Sequence, residues 1–236
     1  MIGAGLRRVE DRRLLTGRGR FADDIAVDGA AHGVFLRAPH AHAEIISIDG
    51  AAARAQPGVL AIYTGDDLAA AGVNRVDTGI SGRGRLYPNR DGSAMADPPY
   101  RPLAQGRVRH VGEPVALIVA ESEAAALAAA EAVEVGYHPV PAAVATAAAH
   151  GDGPEIWAEA PGNTCYDWGA GDGAATETAL AAADHVVRLE VEIPRVIPAF
   201  LEPRAALARF DAQTGRFTLT IGCQSVHGIR DKLAQT

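Results

Sequence analysis

Hydrophobic and polar positions along the chain mark out a series of short elements. Apolar, partly alternating runs predict strands over Gly29–Ala38 and Ala43–Asp49, separated by a Pro-His turn. A short helix from Ala51 is stopped by Pro57 and Gly58, and Val59–Tyr63 reads as a third strand. Thr64 or Asp66 can cap the helical turn that follows in "TGDDLAAAG". From Val73 to Tyr100 the pattern is lost in a Gly-, Arg-, Asp- and Pro-rich loop, and loops of this length are usually functional or mobile. Val115–Ala120 is continuously apolar, as expected of a strand covered on both faces. Ser122 is placed to cap a helix of Ala, Glu and Leu, after which "VEVGYHPVP" returns to strand until Pro139 and Pro141. This strand–helix–strand run predicts an α/β unit.

Residues 142–174 form a weakly patterned connector. "GAATETALAAAD" predicts a second helix, and "HVVRLEVEIPR" (His185–Arg195) alternates as a strand does. A hairpin follows, turning at Gln213, Thr214 and Gly215, and then a helical start carrying Ile229 and Leu233 on one face. Composition changes near residue 145, which places an α/β domain before it and a β-rich segment after it. The sequence stops within this amphipathic helix, without a cap. The expectation is a piece of a larger assembly, with the apolar surface near Ile221–Leu233 covered by another chain.

With 236 residues, 48% of them hydrophobic, the chain can build one large core or two small ones. A net charge of -7 argues against nucleic-acid binding, which needs a basic footprint. The arginines between Arg7 and Arg20 are interrupted by acidic residues and read as a solvated or subunit-docking arm. Neither a signal-peptide core nor an apolar run of membrane-spanning length occurs, so the expected location is cytoplasmic. Cys165 and Cys223 make no disulfide framework or metal spacing, and Cys223, in "FTLTIGCQ", reads as a buried reduced thiol.

Candidate chemistry is sparse. His40 and His42 would point the same way in an extended chain, which permits a two-point metal contact, but no third ligand has recognisable spacing. Packing or hydrogen bonding at the turn is the alternative, and no metal ligand is assigned. Gly17 and Gly19 lack the strand–turn–helix setting of a dinucleotide fingerprint. Arg83 and Arg85, beside Gly82 and Gly84, could contact an anion or simply be solvated. Glu202 precedes Pro203, which biases it toward extended backbone, and its structural reading is an ion pair with Arg204 or Arg195. Gln224 ends a strand just before a helix, where an amide can donate a hydrogen bond to an oxo or carbonyl oxygen.

Taken in order, "RVEDRRLLTGRGRFADDI", "LRAPHAHAEIISID", "PGVLAIYTGDDL", "RVRHVGEPVALIVAES", "AAEAVEVGYHPVPA", "FLEPRAALARFD" and "GCQSVHGIR" resemble successive blocks of one family. It is the molybdopterin-binding large subunit of the xanthine dehydrogenase, aldehyde oxidase and aerobic carbon monoxide dehydrogenase superfamily. The resemblance implies an α/β (α+β) fold: an arm over 1–16, an α/β hammerhead domain over 17–141, the 142–174 connector, and the incomplete start of a molybdopterin-binding domain over 175–236. It implies that "PHAHAEIISID" belongs to the hammerhead scaffold. Gln224 matches the glutamine beside the molybdenum oxo ligand, and Glu202 matches the glutamate of a Met-Glu-Pro-Arg-like block, with Leu201 in place of the methionine. The implied cofactor is molybdopterin, shared with the rest of the large subunit, with FAD and 2Fe-2S clusters on partner subunits. The family's glycine-rich cofactor loop and late glutamate base have no counterpart in these 236 residues, so the chain alone is expected to be inactive. Aldehydes, N-heterocycles and carbon monoxide all stay open as substrates, and a non-catalytic scaffold is the rival reading.

Overall fold

The computed structural model describes residues 3, 5, 7–73, 75, 76, 88–151, 153–193, 196, 199, 200 and 202–236. Gly82, Arg83, Gly84 and Arg85 lie outside the described residues, as do Arg195 and Leu201. In chain order the elements are α1 (Asp11–Leu15), β1 (His32–Arg37), β2 (Ala43–Asp49), α2 (Ala51–Arg54), β3 (Val59–Thr64), α3 (Gly65–Ala70) and β4 (Arg107–Val108). There follow β5 (Pro114–Ala120), α4 (Glu123–Glu131), β6 (Glu134–Pro139), α5 (Thr146–Ala149), α6 (Gly173–Ala181), β7 (Ala206–Asp211), β8 (Arg216–Ile221) and α7 (Val226–Gln235). They group into a larger unit, Gly29–Val186 with His227–Thr236, and a smaller one, Met1–Asp28 with Val187–Val226. Among the described residues no helix is long and apolar enough to cross a membrane.

In the larger unit β5 is the central strand of a three-stranded sheet, ordered β1-β5-β3, with both pairings antiparallel. Ile118 sits opposite Val34 on one side and Ile62 on the other, and is fully buried with Val115, Ala116 and Ala120. The continuous apolar run is thus explained: β5 has neighbours at both edges and packing on its faces. Helix α4 is capped by Ser122, whose hydroxyl accepts from the Ala125 amide at 3.2 Å. Its buried Ala126 and Ala129 lie three residues apart, and with Ala53 of α2 they join the core around Ile118. Small side chains on this face let the helix backbone approach the sheet closely.

A second sheet is ordered β4-β2-β6, again antiparallel. The strand–helix–strand run β5–α4–β6 is therefore present, but its two strands lie in different sheets. The reason is edge occupancy: β1 and β3 already fill both edges of β5, so β6 pairs with β2 instead. Of the two candidate caps for α3, Thr64 is the one used, and the Asp67 carboxylate in return accepts from the Thr64 amide at 2.7 Å. The connector is pinned to the long loop at Asp167, which accepts from the Arg90 guanidinium at 2.9 Å, and whose amide donates to Asn89 at 2.8 Å. Further along the chain, the Arg109 guanidinium lies 3.6 Å from the centre of the Trp157 ring and donates to the Ile156 carbonyl.

The smaller unit is built on the β7–β8 hairpin. Gly215 (φ 66°) supplies the left-handed turn position, and the Asp211 carboxylate accepts from the Gln213 and Thr214 amides. Two expectations are corrected here. Residues 185–193 form no strand, and Val187, Leu189 and Ile193 are 84–93% exposed. Alternation gives a segment its strand propensity, but a strand exists only where a second backbone completes the ladder, and none does among the described residues. Cys223 is exposed rather than buried, because it lies past the end of β8, which is itself exposed along its whole length.

Two substitutions test this core. Ile118→Ala is expected to lower unfolding stability by about 2–5 kcal/mol in urea titrations. Gly65→Ala would place a methyl 2.3 Å from the Ala104 carbonyl oxygen and is expected to cost about 1–3 kcal/mol in the same measurement.

Candidate functional site

The two histidines of "PHAHAEIISID" sit where the second sheet begins. His42 is only 4% exposed, and its Nδ1 lies 2.7 Å from the Pro141 carbonyl oxygen. A carbonyl can only accept, so Nδ1 carries the ring proton. The His42 carbonyl in turn accepts from the Val140 amide, so this one residue ties the start of β2 to the exit of β6. The His40 ring packs edge-on against Tyr137 at 4.9 Å, and burial pushes the Tyr137 phenol above its ordinary pKa. Both histidines are engaged in the scaffold, and the described residues hold no group of three or more His, Cys, Asp or Glu able to bind a metal.

Glu202 and Gln224, far apart in sequence, both flank the hairpin of the smaller unit. Gly222, the residue after β8, is what brings the two regions together. A Cβ built on it would meet Glu202 Oε1 at 2.6 Å and Oε2 at 3.1 Å, so the carboxylate rests directly against bare backbone. Glu202 is half-buried and makes no ion pair with Arg204. Gln224, two residues further on, is exposed, and its amide has no hydrogen-bond partner among the described residues. The parallel-sheet rationale for a ligand at this strand end does not apply, since β8 pairs antiparallel with β7. What remains is an exposed carboxamide with two donors and an acceptor, two residues along the chain from the glycine on which the Glu202 carboxylate rests. An exposed amide can donate to an oxygen of a bound group, while the described residues hold no cluster of three or more His, Cys, Asp or Glu that a metal ion would take as ligands.

Sequence reasoning missed the role of Gly222, because nothing local marks a contact with a residue twenty positions earlier. It also missed a groove of about 260 Å³ on the hairpin's polar face, lined by Arg209, Asp211, Arg216 and Thr218. The signal available was the two-residue spacing on each strand, which puts all four on one side.

Comparison with known proteins decides the family. Residues 16–141 match the aldehyde oxidase and xanthine dehydrogenase a/b hammerhead domain, and residues 156–236 match the molybdopterin cofactor-binding domain. The chain belongs to the aldehyde oxidase and xanthine dehydrogenase family. Within that family it is 36% identical over 230 residues to the nicotine 6-hydroxylase large subunit of Paenarthrobacter nicotinovorans, covering 98% of this chain and 27% of that one. It is 32% identical to the carbon monoxide dehydrogenase large chain of Hydrogenophaga pseudoflava, covering 94% of this chain and 27% of that one. The crystal structure of quinoline 2-oxidoreductase from Pseudomonas putida 86 superposes with a TM-score of 0.79 at 31% identity, over 99% of this chain and 28% of that one. The chain therefore spans a little over a quarter of the length of these relatives.

One electrostatic feature of the hairpin is testable in solution. Hydrogen bonds from the Thr214 and then the Gln213 backbone hold the Asp211 carboxyl below its ordinary value. A group depressed in the folded state stabilises it above the unfolded pKa, about 3.9, and loses that contribution as pH falls through the folded value. An NMR titration of the Asp211 carboxyl carbon should give a midpoint below 3.8, and a midpoint at or above it would contradict the turn geometry.

Proposed function

We propose that this chain is the N-terminal part of a molybdenum hydroxylase large subunit that oxidises a carbon centre and passes the electrons to iron–sulfur and flavin partners. The observation that carries the reading is the match of residues 156–236 to the molybdopterin cofactor-binding domain. It is supported by a relative named for nicotine hydroxylation and by another named as a carbon monoxide dehydrogenase. Its domains are taken as an arm over 1–16, a hammerhead domain over 17–141, a connector over 142–174 and the opening of the cofactor domain over 175–236. The proposed location is cytoplasmic, where reduced Cys165 and Cys223 are stable.

Within this reading Gln224 is the residue that touches the cofactor, offering its amide N–H toward an oxo ligand. Glu202 supports it from the Gly222 backbone. When bound, molybdopterin supplies the molybdenum that accepts two electrons from the substrate carbon. A neutral amide donor there would stabilise negative charge on an oxygen of the cofactor without the desolvation cost of a cation. The chain alone provides one wall of such a pocket. Activity is assigned to the assembly, with the rest of the cofactor-binding polypeptide, an iron–sulfur subunit and an FAD subunit as partners. The substrate is an aldehyde, an N-heterocycle or carbon monoxide.

Co-expression with the adjoining reading frames tests this. The purified complex should hold stoichiometric molybdenum and reduce an artificial dye with one of the three substrate classes, whereas the chain alone should do neither. Gln224→Ala is expected to lower the complex's turnover about 100-fold with its molybdenum retained. A stable complex devoid of molybdenum would overturn the assignment.

A further inference from the structure

Inside the larger unit two buried side-chain nitrogens, His42 Nε2 and Arg101 Nε, have no hydrogen-bond partner among the described residues. Their chemistries are opposite. The Pro141 carbonyl fixes the ring proton of His42 on Nδ1, so in the neutral ring Nε2 is an acceptor, whereas the Arg101 Nε–H can only donate. Both atoms are shut away from bulk solvent, and a buried polar atom that makes no bond bears the whole cost of its desolvation. Native interiors seldom leave such groups unbonded.

The backbone brings the two residues to one neighbourhood. β2 and β4 pair with Ala43 opposite Val108 and Glu44 opposite Arg107, and the Arg107 guanidinium donates to the Glu44 carboxylate at 2.8 Å on one face of the sheet. One residue past that ladder the register sets His42 opposite Arg109, on the same face as the ion pair. Arg101 lies close enough for its charge to act on Arg109. Ala43 and Ala104, one residue after His42 and three after Arg101, belong to one buried cluster with Val108 and Val115. Arg109 itself satisfies neither orphan. Its bonds go to the Ile156 and Arg107 carbonyls, and a guanidinium has no lone pair to offer Arg101.

An occupant of this place must accept from Arg101 and donate to His42. A metal ion brings no lone pair for the arginine and meets its positive charge. A halide or a fully deprotonated oxyanion brings no hydrogen for Nε2. Water does both, and a polar pocket supplying a donor and an acceptor is the kind of place where interiors keep one.

We infer that one ordered water molecule is a structural ligand of the larger unit, accepting from Arg101 Nε–H and donating to His42 Nε2. The opposite edge of the same imidazole bonds Pro141, so the water completes a relay that ties the segment leading into β4 to the start of β2 and to the exit of β6.

The test is made on the intact protein that carries this chain. A crystal structure that resolves ordered water should place one molecule within about 2.7–3.2 Å of both nitrogens. Amide exchange followed by mass spectrometry tests the same point in solution. Arg101→Lys keeps the positive charge but sets a methylene where the Nε–H stood, and His42→Asn keeps a donor for the Pro141 carbonyl without the second nitrogen. Each should speed exchange of the Val140 amide, which donates to the His42 carbonyl, at least about 5-fold. The double variant should stay within about twofold of either single one, because both changes remove the same water. A site without water, a direct bond between the two nitrogens, or an ion in the water's place would overturn the inference. So would single variants that leave exchange unchanged or slow it, or effects that multiply in the double variant. Should a variant fail to fold, the parent's crystal structure decides by itself.

Discussion

The pairing of β5 along both its edges is the constraint on which the larger unit depends. With β1 on one side and β3 on the other, Ala116–Ala120 has ladder partners along both edges, and its side chains can be buried without stranding the backbone between them. That full occupancy has a cost in topology, since β6 must find its ladder elsewhere. A second sheet around β2 is the result, and His42 closes it by bonding Val140 and Pro141 just past the end of β6. Alanines on α4 and α2 then seal the first sheet at short range. The hammerhead is thus two antiparallel sheets forced apart by one saturated strand.

The smaller unit shows the opposite condition. Its hairpin has one apolar face and one mainly polar face that also carries Leu207, a well-formed turn and a regular register, yet nearly all its residues are exposed. Local chemistry has done all it can there. A sheet's energy comes mostly from what lies across its face, and local chemistry cannot supply that. The two units therefore differ physically: the larger one buries cores of its own, whereas the hairpin of the smaller one is largely exposed.

Legibility in the sequence follows the same divide. Strands β2, β3, β5 and β6 and the caps at Thr64 and Ser122 were readable because each depends on residues within a few positions of one another. The assignment of β5 and β6 to different sheets was not, because it depends on which edges distant strands occupy. Alternation over His185–Arg195 was read as a strand, and it marks one only in the sense of propensity. Cys223 was misread because an apolar neighbourhood in sequence was taken for one in space. Gln224 and Glu202 were reached through resemblance of "FLEPRAALARFD" and "GCQSVHGIR" to a family, since spacing alone gave no reason to join them. The contact of Glu202 with Gly222 emerges only from coordinates.

That contact binds the fates of two positions. A side chain at 222 would meet the tip of the Glu202 chain before any backbone, so the carboxylate would have to swing away from its seat. Because that tip is flexible, such a change would redirect the carboxylate and leave the path of the chain alone.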